Sequence, residues 1–416
     1  MSSRVYAACA LALAAIGVVP TALANAPFKD VEAWADVRLA YSDAGREWLD
    51  GGYSKTRYGS VDGFGFDAEL AELSVEWKPT FTHALSALVH LQTSPDQDQP
   101  VGLVEGFLRY RAMPRGGWRL SARAGRFFPP VSLEHDGPGW GLTRTLTPSA
   151  INSWIGEEVI VTGAEARAAR RFGDHHIDLR VSAFDFNDTA GTLLSFRGWA
   201  LHDVKSTLGG TFRLPDSDER RRTVPTQAEF TDPSVDLGGE IGVYGAVRWR
   251  FADWFTALFT VYDNRGDPDS IALGQYGWGT KFYNVGVQFE PAPQWEVIAQ
   301  ALTGETSMGP RKYYDGALRK FEHTYASAFV LAAYRPDDRT VFSGRVDVFT
   351  MDDDTPRAAF HTEDGFALTG AVRRHLNDRL ELGAEVLYLE HDHDVQDPAV
   401  TFVDELQVQL AFKINF

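Results

Sequence analysis

Residues 407–416 read QVQLAFKINF. Leu406, Val408, Leu410, Phe412, Ile414 and Phe416 fall on one side of a two-residue period. Glu405, Gln407, Gln409, Lys413 and Asn415 fall on the other, with Ala411 among them. That period puts alternate side chains on opposite faces of a β-strand. The segment is therefore a strand with one oily and one wet face, finishing on a bare aromatic. A chain built from many such strands points to a sheet between apolar and aqueous surroundings.

The opposite end, MSSRVYAACALALAAIGVVPTALANAPF, has a positive charge at Arg4, an apolar run, a break at Pro20 and an Ala-Leu-Ala site closing at Ala24. This is the layout of a secretory signal peptide over residues 1–24. The single cysteine, Cys9, lies inside it. The chain expected after cleavage has no thiol, which excludes disulfides and cysteine-based metal or redox sites. Beyond the signal no apolar run approaches the roughly 18 residues of a membrane helix. The formal charge of −17 argues against nucleic acid as a partner, since phosphate binding needs a basic surface.

Counting the C-terminal one, about sixteen period-two segments run along the chain, each near the roughly ten residues of a tilted membrane strand. They run from EAWADVRLAYS (32–42) through WRLSARAGRF (118–127), EIGVYGAVRWRF (240–251) and WEVIAQALTG (295–304) to the last strand. Short turns at KPTF, MPRGG, FGDHH, FAD, EPAPQ, RPDDR and LND alternate with longer connections. The latter span 42–63, 94–101, 128–157, 188–238, 264–277, 304–323, 351–364 and 391–401. Tight turns on one side and long loops on the other mark an up-and-down outer-membrane barrel. Trp77, Trp118, Trp254, Phe289, Trp295, Tyr334 and Phe416 sit beside the short turns, as girdle aromatics do. The expectation is an all-β, transmembrane, up-and-down antiparallel β-barrel of about sixteen strands over residues 25–416. Eighteen follow if TLLSFRGWALHD and TLGGTFRLP, inside 188–238, form one more hairpin.

The QLAFKINF ending resembles the terminal signal of Gram-negative outer-membrane proteins, which implies recognition of the C-terminal strand and Phe416 by the barrel assembly machinery. The stretch FLRYRAMPRGGWRLSARAGRFFPPVSLEHDGPGWGLTRTLTPSAINSWIGEEV is similar to the phosphate-selective porin-like family, as is YNVGVQFEPAPQWEVIAQALTGET. In that family a strand reaching GRF-x-P leads into a long loop that enters the barrel. The resemblance implies a porin in the outer membrane of a Gram-negative bacterium, in contact with lipid and lipopolysaccharide, and by analogy a homotrimer. The run of loop lysines and arginines that phosphate selectivity would call for is not present, so the solute stays open.

Residues alternating with the lipid-facing set line the lumen. One arc of that set is basic: Arg109, Arg111, Arg119, Arg123, Arg167, Arg180, Arg248 and Arg250. The opposite arc is more acidic, with Asp36, Glu72, Glu76, Asp347, Glu381, Glu385 and Glu405, diluted by Arg38, Arg345, Arg373 and Lys413. A basic wall facing an acidic one sets up a field that favours small polar or charged solutes. The connection 128–157 carries Glu134, Asp136, Arg144, Glu157 and Glu158. Folded inward as a constriction loop, it would set its carboxylates against the arginines and narrow the pore.

Other features have blander readings. HDHD (391–394), MDDDT (351–355), DNRGDPD (263–269) and GDHH (173–176) lack calcium-loop or metal-ligand spacing and read as solvated loops or turns. No G-x-S-x-G nucleophile motif is present. The expected function is passive diffusion of small hydrophilic solutes through a water-filled channel, with anions such as phosphate among them, without catalysis or cofactor. The alternatives are a barrel enzyme with hydrolytic residues at its rim, and a surface-assembly or anchoring barrel with a closed lumen.

Overall fold

The computed structural model describes residues 30–60, 65–216, 221, 224–314, 317–354, 362–394 and 402–416. The signal-peptide assignment (1–24) and residues 395–401 of the expected 391–401 connection lie outside the described residues.

Sixteen strands close into one antiparallel barrel. The first half comprises β1 (Val31–Ser42), β2 (Gly65–Trp77), β3 (Leu85–Thr93), β4 (Gly102–Arg111), β5 (Trp118–Phe127), β6 (Val161–Phe172), β7 (His175–Asp185) and β8 (Gly242–Phe251). The second half comprises β9 (Phe255–Asp263), β10 (Trp278–Ala292), β11 (Trp295–Tyr314) and β12 (Ala317–Asp337). It ends with β13 (Thr340–Asp353), β14 (Thr362–His375), β15 (Leu380–Asp394) and β16 (Phe402–Asn415). Each strand pairs with its sequence neighbours, and β16 closes on β1 with Trp34 opposite Asn415 and Ser42 opposite Gln407. Closure leaves no strand edge unpaired, as a membrane-spanning sheet requires.

The two-residue period becomes the wall's two faces. On β16, Glu405, Gln407, Gln409 and Ala411 are buried inward, while Leu410 and Phe412 are exposed outward. The same outward exposure recurs at Leu108, Val181, Val330 and Val346. Such a band would be unfavourable in water; against lipid it is the expected outer surface. Among the described residues no helix is long and apolar enough to cross a membrane.

Two expectations need correction. The 304–323 segment is not a loop: β11 and β12 pair from Trp295/Tyr334 out to Tyr314/Ala317 as one long hairpin. Nor does 188–238 add a barrel hairpin. Thr192–Arg197 forms a short helix, α2, and Phe212–Arg213 pairs only with Phe230–Thr231 outside the wall. The segment fails as a wall strand because both faces of α2 are covered, all six of its residues being buried.

Candidate functional site

The loop between β5 and β6 folds into the lumen. Its short helix α1 (Ala150–Ile155) starts at Ser149, whose hydroxyl accepts from Asn152 N–H as an N-cap. The backbone donors entering the helix find wall carboxylates. Glu385 accepts from Leu146 N at 2.6 Å and Thr147 N at 3.2 Å, and Asp347 from Ala150 N at 3.1 Å. A helix start leaves N–H groups without intrahelical partners, and an acidic wall supplies them. Arg144 pairs with Glu296 at 2.6 Å and Asp136 at 2.9 Å. Glu134 receives Arg345 at 3.2 Å. Trp140 takes a left-handed φ of 57° and stacks between Phe128 and His135, at 5.0 and 5.3 Å.

The loop's carboxylates therefore do not face the arginine arc as expected from the sequence. They lie against the opposite wall or inside the loops, because that wall's carboxylates hold the loop backbone there. Glu157 pairs with His135 at 2.8 Å, and Glu158 with Arg197 and His202, both at 2.8 Å. Arg197 and His202 hold Glu158 below the ordinary carboxylate range although burial opposes it.

The connection between β7 and β8 enters beside this loop. Trp199 donates from its backbone to Glu363 and from its indole to Thr350 O. Lys55, from the first long connection, meets Glu363 at 2.9 Å, both side chains fully buried. Apolar residues finish the packing. Ile151, Trp154, Leu194 and Trp199 cover an inward face formed by Leu258, Phe282, Ile298, Leu302, Phe329, Leu331 and Phe349. Trp154 stands edge-on to Tyr325 at 5.0 Å. At roughly 1.5–3 kcal/mol per large apolar side chain buried, this core far outweighs any single ion pair. Sequence reading missed it, although the apolar run Phe329-Val330-Leu331-Ala332-Ala333, oily on both faces, carried the signal.

The seven acidic-wall residues face inward but are covered. Asp36, Glu76, Asp347, Glu381, Glu385 and Glu405 are buried, and Glu72 is partly so. Glu405 accepts from Lys55 N and Thr56 N, Asp36 pairs with Arg38, Glu381 with Arg373, and Glu76 with Lys78.

The basic arc stays open. Its members stack in register: Arg109 beside Arg123, Arg167 beside Arg180, Asp178 beside Arg248, and His176 beside Arg250. Arg171, which the sequence reading did not single out, shares the last row opposite His176. Glu165 binds Arg123 at 3.0 Å, and Asp178 binds Arg167 at 2.6 Å and Arg180 at 3.2 Å. Arg109, Arg111, Arg119, Arg248 and Arg250 have no carboxylate in ion-pair reach among the described residues, Arg250 meeting His176 instead. Two cavities lie against this arc. One, of about 520 Å³ at the short-turn end, is lined by Arg119, Arg171, Arg248, Arg250 and His176, and also by Asp174 and Asp253. The other, of about 180 Å³, is lined by Arg109, Arg123, Arg167, Arg180 and Glu165. Guanidinium groups stay charged and present a fork of donors suited to carboxylate and phosphate oxygens.

No known protein family matches the sequence, and no curated protein matches it. Solved structures resemble its fold. The outer membrane channel DcaP of Acinetobacter baumannii is 11% identical, with a TM-score of 0.56 over 93% of this chain and 96% of that one. An anion-selective porin from Comamonas acidovorans is also 11% identical, with a TM-score of 0.50 over 93% and 98%. At these identities the likeness is one of fold alone, a closed antiparallel β-barrel, which in this chain has sixteen strands.

Proposed function

We propose that this chain is an outer-membrane channel for small hydrophilic solutes, and that it prefers anions. The observation carrying this reading is the division of labour inside the lumen. The carboxylates of the acidic wall are taken up by the inward loops or by neighbouring cations, whereas the arginine arc borders two cavities of about 520 and 180 Å³ and keeps five guanidiniums free of carboxylates among the described residues. A cavity whose lining is mostly of one sign of charge concentrates ions of the other sign. The work required of the residues is binding and orientation, with no bond made or broken. The solved channel and the anion-selective porin that share this fold are consistent with the reading. Phosphate is one candidate solute, on its chemistry alone.

The test is swelling of proteoliposomes in solutes of matched size. Gluconate is expected to enter faster than glucose, and glucose faster than glucosammonium. Equal rates for all three would remove the anion preference, and no swelling in any would favour a closed barrel.

A further inference from the structure

A passage running the height of the barrel would leave a file of inward side chains open to water from one end to the other. On the arginine side that file stops. Up to the row of Arg109 and Arg123 the inward residues border the two cavities. From that row on toward the long loops, Phe107, Phe127, Phe184, Tyr244 and Tyr262 are 0–6% exposed and belong to the apolar core. Wall side chains alone do not fill a barrel of sixteen strands, so the closure comes from what enters it. The β7–β8 connection supplies the outer layer, since residues 187–207 are buried throughout, Asp203 alone being partly exposed. Its Asn187 accepts from the Tyr262 hydroxyl and donates to Ile160 O at 2.9 Å, and Ala190 O accepts from the Trp154 indole at 3.2 Å. Leu194, Trp199 and Leu201 lie in the same core. Beside β1, β2 and β16 a gap between loops and wall measures about 40 Å³, room for a few waters only.

We propose that the segment 187–207 is a gate, shut in this conformation, and that solute passes only while α2 and its flanks are out of the lumen. The inference rests on the channel reading for conduction, whereas the closure and the movement stand on the packing. Two elements enter the lumen, and their polar groups tell which one moves. In α1 every polar side chain has a partner. Asn152 donates to Glu134 and accepts from Gln300, Ser153 donates to Pro148 O and accepts from His202 N, and Trp154 reaches Ala190 O. The equally short α2 buries three polar atoms with no partner among the described residues: Thr192 Oγ1, Ser195 Oγ and Arg197 Nη1. Buried polar groups without partners raise the energy of the state that holds them, and all three regain water when the helix leaves. Against that cost stand the apolar contacts and a few polar ties. Trp199 N donates to Glu363 at 3.1 Å, Lys55 Nζ to Arg197 O at 2.7 Å, and Arg197 pairs with Glu158 at 2.8 Å.

The chain from residue 25 on has no cysteine, so introduced thiols report without background. A Cβ placed on Gly191 lies 3.0 Å from Thr306 Cβ on β11, about half an ångström short of disulfide spacing. In single-channel recordings of Gly191→Cys/Thr306→Cys, the time spent open is expected to fall at least about tenfold on oxidation and to return with dithiothreitol. Separately, Ser195→Cys replaces an unpartnered buried hydroxyl by a thiol that iodoacetamide reaches only when α2 leaves. In the full barrel in lipid vesicles, complete modification is expected, at least about tenfold more slowly than in the denatured chain. Glu363→Gln, which weakens the hold on Trp199, is expected to raise both that rate and the time spent open. Equal conduction by the oxidised and reduced double variant would overturn the gate. So would a Ser195→Cys thiol that stays unmodified in a conducting barrel, since the passage would then open elsewhere. Modification in a barrel that conducts in neither redox state would keep the moving segment and sink the channel.

Discussion

Arg345 and Arg248 face the same lumen from opposite walls. Arg345 is fully buried between Asp347 at 2.7 Å and Glu134 at 3.2 Å, and it donates to Thr147 O and Pro148 O. Its charge is spent in pinning a loop. Arg248 has no such partners and borders the large cavity. Chemical type alone does not separate the two; the backbone that reaches one and not the other does. A titrating residue shows the same dependence on context. Glu47, at the entrance to the first long connection, has its carboxyl pushed up to about 8 by burial and by Asp96, Asp50, Asp67 and Glu69. The folded value lies above the unfolded 4.5, so this carboxyl favours the docked connection fully below about pH 4.5. That contribution falls as pH rises and is gone above about pH 8. Hydrogen exchange across 43–60, corrected for intrinsic rates, is expected to show less protection at about pH 9 than at about pH 6. Glu47→Gln should flatten the difference. Equal protection in the unsubstituted protein would show that Glu47 does not govern this loop.

At the scale of elements, the β5–β6 loop is held to the wall by side chains that accept its backbone donors. Glu385→Ala leaves Leu146 and Thr147 N–H groups buried without their acceptor, at a cost of about 1–3 kcal/mol in docking. The expected outcome is a larger and noisier single-channel current, because the loop leaves the wall part of the time. A current identical to that of the unsubstituted barrel would place the loop's hold elsewhere. The wall itself was legible in the sequence. Each segment with one oily and one wet face became a strand, and every short turn stayed short. Alternation is a local property, so it survives without knowledge of the partners. The loops were legible in length but not in destination. Nothing local to Leu146 or Ala150 reveals that carboxylates some two hundred residues later will accept from them. The helices α1 and α2 are too short to announce themselves by periodicity. Lys205 and Lys55 were invisible for the same reason, since their meaning comes from Glu72, Glu157 and Glu363 across the lumen.

At the scale of the molecule, the barrel joins an apolar outer band to an interior split by charge. One side of that interior is filled: two loops, an apolar core and a wall of carboxylates that accept from them. The other side is an arginine surface over cavities of about 520 and 180 Å³. The excess negative charge of the whole chain, −17, thus says little about the lumen. The arginines left without partners set the local field instead. The most direct test is the reversal potential of the purified barrel in a planar bilayer under a potassium chloride gradient. The expected result is stable conductance with a reversal potential on the chloride side, moving toward zero when Arg119 and Arg248 are both replaced by Gln. A reversal potential on the potassium side, unmoved by those substitutions, would contradict it.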